Sequence, residues 1–159
     1  MTTKLIYLEP SKCNGCGDCE IACSIKCSGL NDPAMSCIRI VQDTGFKDFY
    51  LPVLCMQCTQ PSCIEACPRE AIYLEDSSNR ILIDYSLCVG CGMCYSACPF
   101  GAMHFDDLRG RAFKCDLCGG KPECVRSCEP AALTFVENIQ SSKIVSSAEK
   151  IFNAFHGQS

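Results

Sequence analysis

Cys88, Cys91, Cys94 and Cys98 stand with gaps of two, two and three residues between them, and Pro99 follows the last. Thiolates at this spacing are ligands for a cube of four irons and four sulfides. A tight loop wraps three corners with the first three cysteines, while the fourth, most of a helical turn onward, points away and serves a second cube. Gly90 and Gly92 allow positive φ and let backbone N–H groups approach sulfur. The pattern already occurs near the start of the chain, at Cys13, Cys16, Cys19 and Cys23, with Gly15 and Gly17 at the matching places. Two further runs widen the middle gap: Cys55, Cys58, Cys63 and Cys67 have four residues there, and Cys115, Cys118, Cys124 and Cys128 have five. These 16 cysteines make four complete sets with no aspartate or other substitute at a ligand position, and they predict four 4Fe-4S clusters.

Composition narrows the alternatives. Cysteine supplies 18 of 159 residues, enough for a covalent or metal framework to lead the explanations. Disulfides fit poorly, because Cys13 arrives just after the short apolar stretch Leu5 to Leu8 and no export signal precedes it, which makes a reducing, cytoplasmic setting the expectation. Zinc sites are usually built from separated cysteine pairs, whereas a third cysteine two residues beyond the second, repeated, points to cubes. No apolar run approaches the ~20 residues of a membrane span. The formal charge of −4 and the lack of a long basic tract argue against nucleic acid as a partner.

The elements that must position these loops are short. Residues 4–8 read as a first strand, with Glu9, Pro10 and Ser11 as the turn into the first ligand loop. A helical turn or two is expected through Ile25, then strands at 38–41 and 49–53, the second confined to an edge or end by Pro52. Residues 72–75 and 81–84 flank the turn-forming stretch from Asp76 to Arg80 and read as a hairpin. Aligned on their last cysteines, three runs show Ala71, Ala102 and Ala132 four residues on, each followed by an apolar, strand-like segment. The first run has Cys27 there, which reads as a small buried stand-in for alanine; Cys37 receives the same reading. His104 and His156 are isolated from any matching acid or nucleophile, so surface or packing roles are expected. Arg109, Arg111, Lys114, Lys121 and Arg126 are interleaved with acids and read as a solvated face. From Ile144 to Phe155 the apolar residues follow one helix face, predicting a C-terminal amphipathic helix over 139–159 that caps the core or docks on a partner.

A run that donates its fourth cysteine must receive one from another run. The 20 residues between Cys67 and Cys88 hold the expected hairpin, so the second and third runs pair and the first and fourth are left to each other. One cube then takes Cys55, Cys58, Cys63 and Cys98, and its neighbour Cys88, Cys91, Cys94 and Cys67. The outer pair takes Cys13, Cys16, Cys19 and Cys128, and Cys115, Cys118, Cys124 and Cys23. Sequential pairing, first with second and third with fourth, stays open on gap lengths alone.

The stretches 13–23, 88–102 and 113–118 make the chain resemble the four-cluster, ferredoxin-like subunits of molybdenum and tungsten bis-pterin oxidoreductases. The linker 31–34 followed by Ile38 to Val41 looks like the small subunits that accompany the tungsten aldehyde oxidoreductase family, which includes class II benzoyl-CoA reductase. Two departures are visible: Cys27 stands where related chains often carry histidine, and Glu129 separates Cys128 from Pro130. The resemblance implies nested ligand exchange and an α+β fold of two intertwined dicluster ferredoxin-like modules. The tetracluster domain would span residues 1–138, with an inner module at about 50–108 and an outer one at about 1–30 with 109–138, before the tail helix. It also implies a non-catalytic electron-transfer subunit that serves a large tungsten or molybdenum pterin subunit, alongside any further electron-transfer subunits of the complex. A freestanding polyferredoxin is the alternative, and an iron–sulfur sensor or assembly factor would more naturally show an incomplete cluster. The residues themselves support conduction over catalysis, because full thiolate sets leave no open iron and no nucleotide-binding glycine fingerprint occurs.

Overall fold

A computed structural model describes residues 4–42 and 49–137. The expected C-terminal helix lies outside the described residues, as does the 138/139 boundary. Among the described residues the strands form four antiparallel pairs, each of two strands. β1 (Lys4–Leu8) pairs with β8 (Leu133–Glu137), from Lys4 opposite Glu137 to Leu8 opposite Leu133. β2 (Ile38–Gln42) pairs with β3 (Tyr50–Leu54), and β4 (Ile72–Glu75) with β5 (Arg80–Ile83). β6 (Met103–Asp106) pairs with β7 (Arg111–Lys114). The hairpin predicted from residues 72–75 and 81–84 is therefore present, its second strand shifted one residue earlier, and the strands expected at 38–41 and 49–53 are present and pair with each other. Because each sheet has two strands, every strand is an edge, and Pro52 removes no ladder bond that a central strand would need.

Among the described residues four α-helices lie between these strands: α1 (Asp18–Ser28), α2 (Ser62–Glu65), α3 (Met93–Ala97) and α4 (Glu123–Arg126). α1 runs one turn beyond the expected end at Ile25 and stops at Gly29, which takes the left-handed conformation at φ +77° and donates its N–H to the Ile25 carbonyl. α1 packs on α4, and α2 on α3.

Sheets this small cannot enclose a conventional core. The buried residues instead form two clusters in which sulfur is a major constituent. One joins Ile6, Leu8, Ile38, Leu54, Leu117 and Leu133 with Cys19, Cys23, Cys37, Cys115 and Cys124. The other joins Ile72, Ile81, Met103 and Ala112 with Cys94. The apolar side chains pack around the thiols, so the strand pairs hold the loops by burying what flanks each cysteine.

Candidate metal centres

The four cysteine runs share a backbone plan that their sequences only half reveal. The residue before the second cysteine is left-handed in every run: Gly15 at φ +74°, Gln57 at +48°, Gly90 at +68° and Leu117 at +60°. In the first and third runs the first two thiols line the same void. The third cysteine is always the second residue of a helix, Cys19 in α1, Cys63 in α2, Cys94 in α3 and Cys124 in α4. Gly17 and Gly92 cap α1 and α3 in the short loops, whereas Pro61 and Pro122 cap α2 and α4 where the middle gap is longer. The extra residues lengthen one arm without moving the third cysteine from its helical station.

The fourth cysteine is held by a second turn. Three residues after it, Glu70 (φ +51°), Gly101 (+61°) and Ala131 (+55°) are left-handed. The chain folds back so that the N–H of Ala71 reaches Cys67 Sγ at 3.3 Å and that of Ala102 reaches Cys98 Sγ at 3.4 Å. Ala71, Ala102 and Ala132 are all buried, which explains the repeated small residue. In the first run α1 continues instead, and Cys23 Sγ accepts the backbone N–H of the distant Cys37 at 3.3 Å.

These turns bring together thiols that are far apart in sequence. Cys13, Cys16, Cys19 and Cys128 line one void, and Cys67, Cys88, Cys91 and Cys94 line another. The thiols that act on one another come from different runs as well as from the same one. Burial pushes the Cys19 thiol up to about 12, assisted by Glu20, Cys128, Cys13 and Cys16. Burial likewise raises Cys58 to about 11, with Cys55, Cys63 and Cys98 adding to it. Cys94 is raised by burial and then by Cys67, Cys88 and Cys91, against a backbone N–H from Tyr95. Cys124 is raised by burial, then by Cys23, Cys118 and Cys19. At Cys67 burial is outweighed by the backbone groups of Arg69, Ala71, Ile72 and Glu70, and the thiol falls below its usual range. Packing several thiolates together without a cation is unfavourable, and convergent soft sulfur donors around a void fit an iron–sulfur cube.

Several residues sit where the sequence did not place them. Cys27 is exposed rather than a buried alanine substitute, because it lies on the extended last turn of α1. Cys37 is buried, as expected. The sulfurs of Cys23, Cys27 and Cys37 all lie within 4.8 Å of one another, with 3.8 Å from Cys23 to Cys27 and 3.7 Å from Cys27 to Cys37. Lys114 belongs to no solvated face; its side chain is buried, and Nζ donates to the carbonyls of Ile81 and Cys115. Gln57 completes the same junction, with Nε2 3.0 Å from the Cys115 carbonyl and Oε1 accepting the Ile81 N–H at 2.8 Å. The interleaved charges around Lys114 hid this, and the only signal for Gln57 was its place before a second cysteine, where the first and third runs have glycine. His104 is buried against Phe113, ring centroids 5.3 Å apart, and burial lowers its pKa; it has the packing role expected of it.

A family profile described as a 4Fe-4S dicluster domain matches residues 46–138. The chain belongs to the 4Fe-4S dicluster family. Among curated relatives, the polyferredoxin-like subunit of an aliphatic sulfonate oxidoreductase from Pyrococcus furiosus is 35% identical over 79% of this chain and 72% of its own length. The B subunit of anaerobic dimethyl sulfoxide reductase from Escherichia coli is 33% identical over 85% of this chain and 74% of its own. The β subunit of an NADH-dependent phenylglyoxylate dehydrogenase from Aromatoleum evansii is 35% identical over 92% of this chain, but the chain spans a third of that longer protein. Among solved structures, one polypeptide of the active-site complex BamBC of benzoyl-coenzyme A reductase superposes with a TM-score of 0.53 at 29% identity, covering 95% of this chain and 90% of that one. The α+β class of the described residues agrees with membership of the dicluster family.

Proposed function

We propose that this chain is a non-catalytic electron-transfer subunit that carries single electrons through four 4Fe-4S clusters to or from a catalytic subunit. The observation that carries this reading is the convergence of thiols from different runs, Cys128 beside Cys13 and Cys19, and Cys67 beside Cys88, Cys91 and Cys94. The ligand sets are Cys13, Cys16, Cys19 and Cys128; Cys55, Cys58, Cys63 and Cys98; Cys88, Cys91, Cys94 and Cys67; and Cys115, Cys118, Cys124 and Cys23. Each bound cluster would take up and release one electron with little rearrangement. The chain holds the thiols, excludes water through its sulfur-rich cores, and offers the N–H groups of Ala71, Ala102 and Cys37 to ligand sulfur, where they favour added negative charge.

The architecture consistent with this is two intertwined modules, an inner one at about 50–108 and an outer one at about 1–30 with 109–138. Packing of α1 on α4 and α2 on α3, and the pairing of β1 with β8, support the nesting over a sequential arrangement. The partner is a large subunit of the tungsten or molybdenum pterin type, suggested by the relatives that act with dimethyl sulfoxide reductase and benzoyl-coenzyme A reductase. A reducing, cytoplasmic setting would suit a chain whose cysteines serve as cluster ligands rather than disulfides. Among the described residues, no helix is long and apolar enough to cross a membrane.

Anaerobic purification from native cells tests the reading. Iron and acid-labile sulfide matching four cubes, with a stoichiometric pterin-bearing subunit, is the expected result. A cluster-loaded monomer reduced by several unrelated enzymes would favour a freestanding polyferredoxin, and iron far below this level would overturn both.

A further inference from the structure

Lys114 is an unusual residue to find buried. It closes β7 immediately before Cys115, is 7% exposed, and places its ammonium between two backbone carbonyls, Ile81 of β5 and Cys115 of the fourth run, the latter at 2.7 Å. The ion pairs of the described residues join Lys4 to Glu137, Lys12 to Glu9, Arg80 to Glu75, Arg109 to Asp106 and Arg126 to Glu123; Lys114 is in none of them. Two carbonyls satisfy hydrogen bonding but carry no net charge, and an isolated buried ammonium is among the least favourable groups a fold can hold. A compensating anion is needed nearby.

The surroundings supply one kind. The Cys115 carbonyl that Lys114 grips belongs to the first ligand of the fourth run. Gln57, which donates to the same Cys115 carbonyl and accepts the Ile81 N–H, lies between Cys55 and Cys58, the first two ligands of the second run. The ammonium thus sits at a junction between the second-run loop, β5 and the fourth-run loop.

We propose that Lys114 is a positioning residue for electron flow: a fixed positive charge between the inner cluster of Cys55, Cys58, Cys63 and Cys98 and the outer cluster of Cys115, Cys118, Cys124 and Cys23, raising the reduction potential of both. The proposal rests on the ligand sets given above. A cube of four irons, four sulfides and four thiolates carries roughly −2 when oxidised and one charge more when reduced, so a nearby cation stabilises the reduced form more. An electron entering either half of the molecule is thereby drawn to the seam between the halves, where transfer from one module to the other takes place. Buried, the charge is shielded little by salt.

The test is potentiometric titration of the full cluster-loaded chain followed by electron paramagnetic resonance, on the wild type and on Lys114→Gln, Lys114→Met and Lys114→Arg. Iron and sulfide are measured first. Glutamine retains a hydrogen-bond donor for the two carbonyls without the charge, methionine retains bulk alone, and arginine retains the charge. The expected result is that both neutral variants keep four clusters and lower two of the four couples. At a fixed potential the reduced-to-oxidised ratio of those two falls at least tenfold, about 59 mV for a one-electron couple. The other two couples stay in place, and arginine restores the shifted pair. Unmoved potentials in the neutral variants, or an equal shift of all four couples, would overturn the proposal. Loss of iron from both neutral variants with retention in arginine would support it, since the charge alone would then be what the loaded seam requires; loss from all three would make Lys114 a strut and overturn it. A wild type without four reducible clusters would instead sink the ligand sets.

Discussion

Left-handed backbone before the second cysteine is free of steric cost at Gly15 and Gly90, but at Gln57 and Leu117 it costs about 1–2 kcal/mol each. Those two are held by what they touch: Leu117 is fully buried, and both polar ends of Gln57 are bonded across the seam. Gly90 is constrained more severely, because a Cβ there would stand 2.0 Å from the Gly110 carbonyl oxygen, with φ +68° besides. Gly92 in the same loop has φ +74° but open space around it. Gly90→Ala should therefore destabilise the protein by more than about 2 kcal/mol, and Gly92→Ala by about 1–2 kcal/mol. Anaerobic thermal unfolding would show this as a larger fall in midpoint for Gly90→Ala, accompanied by loss of iron; equal midpoints would contradict the close approach. Three neighbouring sulfurs allow a second discrimination. If Cys23 is the ligand, Cys23→Ser removes one cluster's iron, whereas Cys27→Ser and Cys37→Ala keep all of it, since the Cys37 N–H to Cys23 Sγ bond comes from the backbone and survives. Iron analysis that showed the reverse would move the ligand to Cys27 or Cys37.

At the scale of elements, β1 and β8 act as a clasp across the ends of the described chain. Ile6 is 1% exposed and lies in the cluster that contains Cys19, Cys115 and Cys124, whereas the cluster around Cys94 contains no β1 residue. Ile6→Ala should cost about 2–5 kcal/mol and loosen the outer thiols first. During a chelator challenge without oxygen, iron should leave in two phases, the early one emptying two clusters; a single phase for all four would show that the clasp does not separate the halves. Much of this level was legible in the sequence. The polar stretch from Asp76 to Arg80 between two β-rich segments specifies a local hairpin, and the repeated alanines mark where the chain returns to sulfur. Elements that depend on distant partners were harder to read. Cys27 was misread as buried because it was aligned with alanines that follow a left-handed turn, and the first run has no such turn. Lys114 was misread because a lysine among acids normally faces water, and its burial depends on β5 and the second-run loop, brought together by the fold.

For the whole molecule, charge governs how electrons would be shared. The polypeptide carries a formal −4, and four oxidised clusters with their thiolates deprotonated would each contribute roughly −2 at their sites. Every added electron then meets negative charge nearby. Two unit charges about 10 Å apart at an effective dielectric constant of about 20 repel by about 1.7 kcal/mol, more than a tenfold change in the reduction equilibrium. Clusters that share ligand runs, as in the proposed nested exchange, would be close enough for reduction of one to hinder reduction of its partner. Reductive titration of the loaded chain should therefore spread over a range far wider than a single one-electron curve. Simple paramagnetic signals should appear first, broadening as both members of a pair become reduced and their spins interact. Salt should change this spread little, because the repulsion acts through a buried interior that counter-ions do not enter. One narrow wave with unbroadened spectra at full reduction would mean that the clusters are too far apart to sense one another, and a relay through this chain would lose its physical basis.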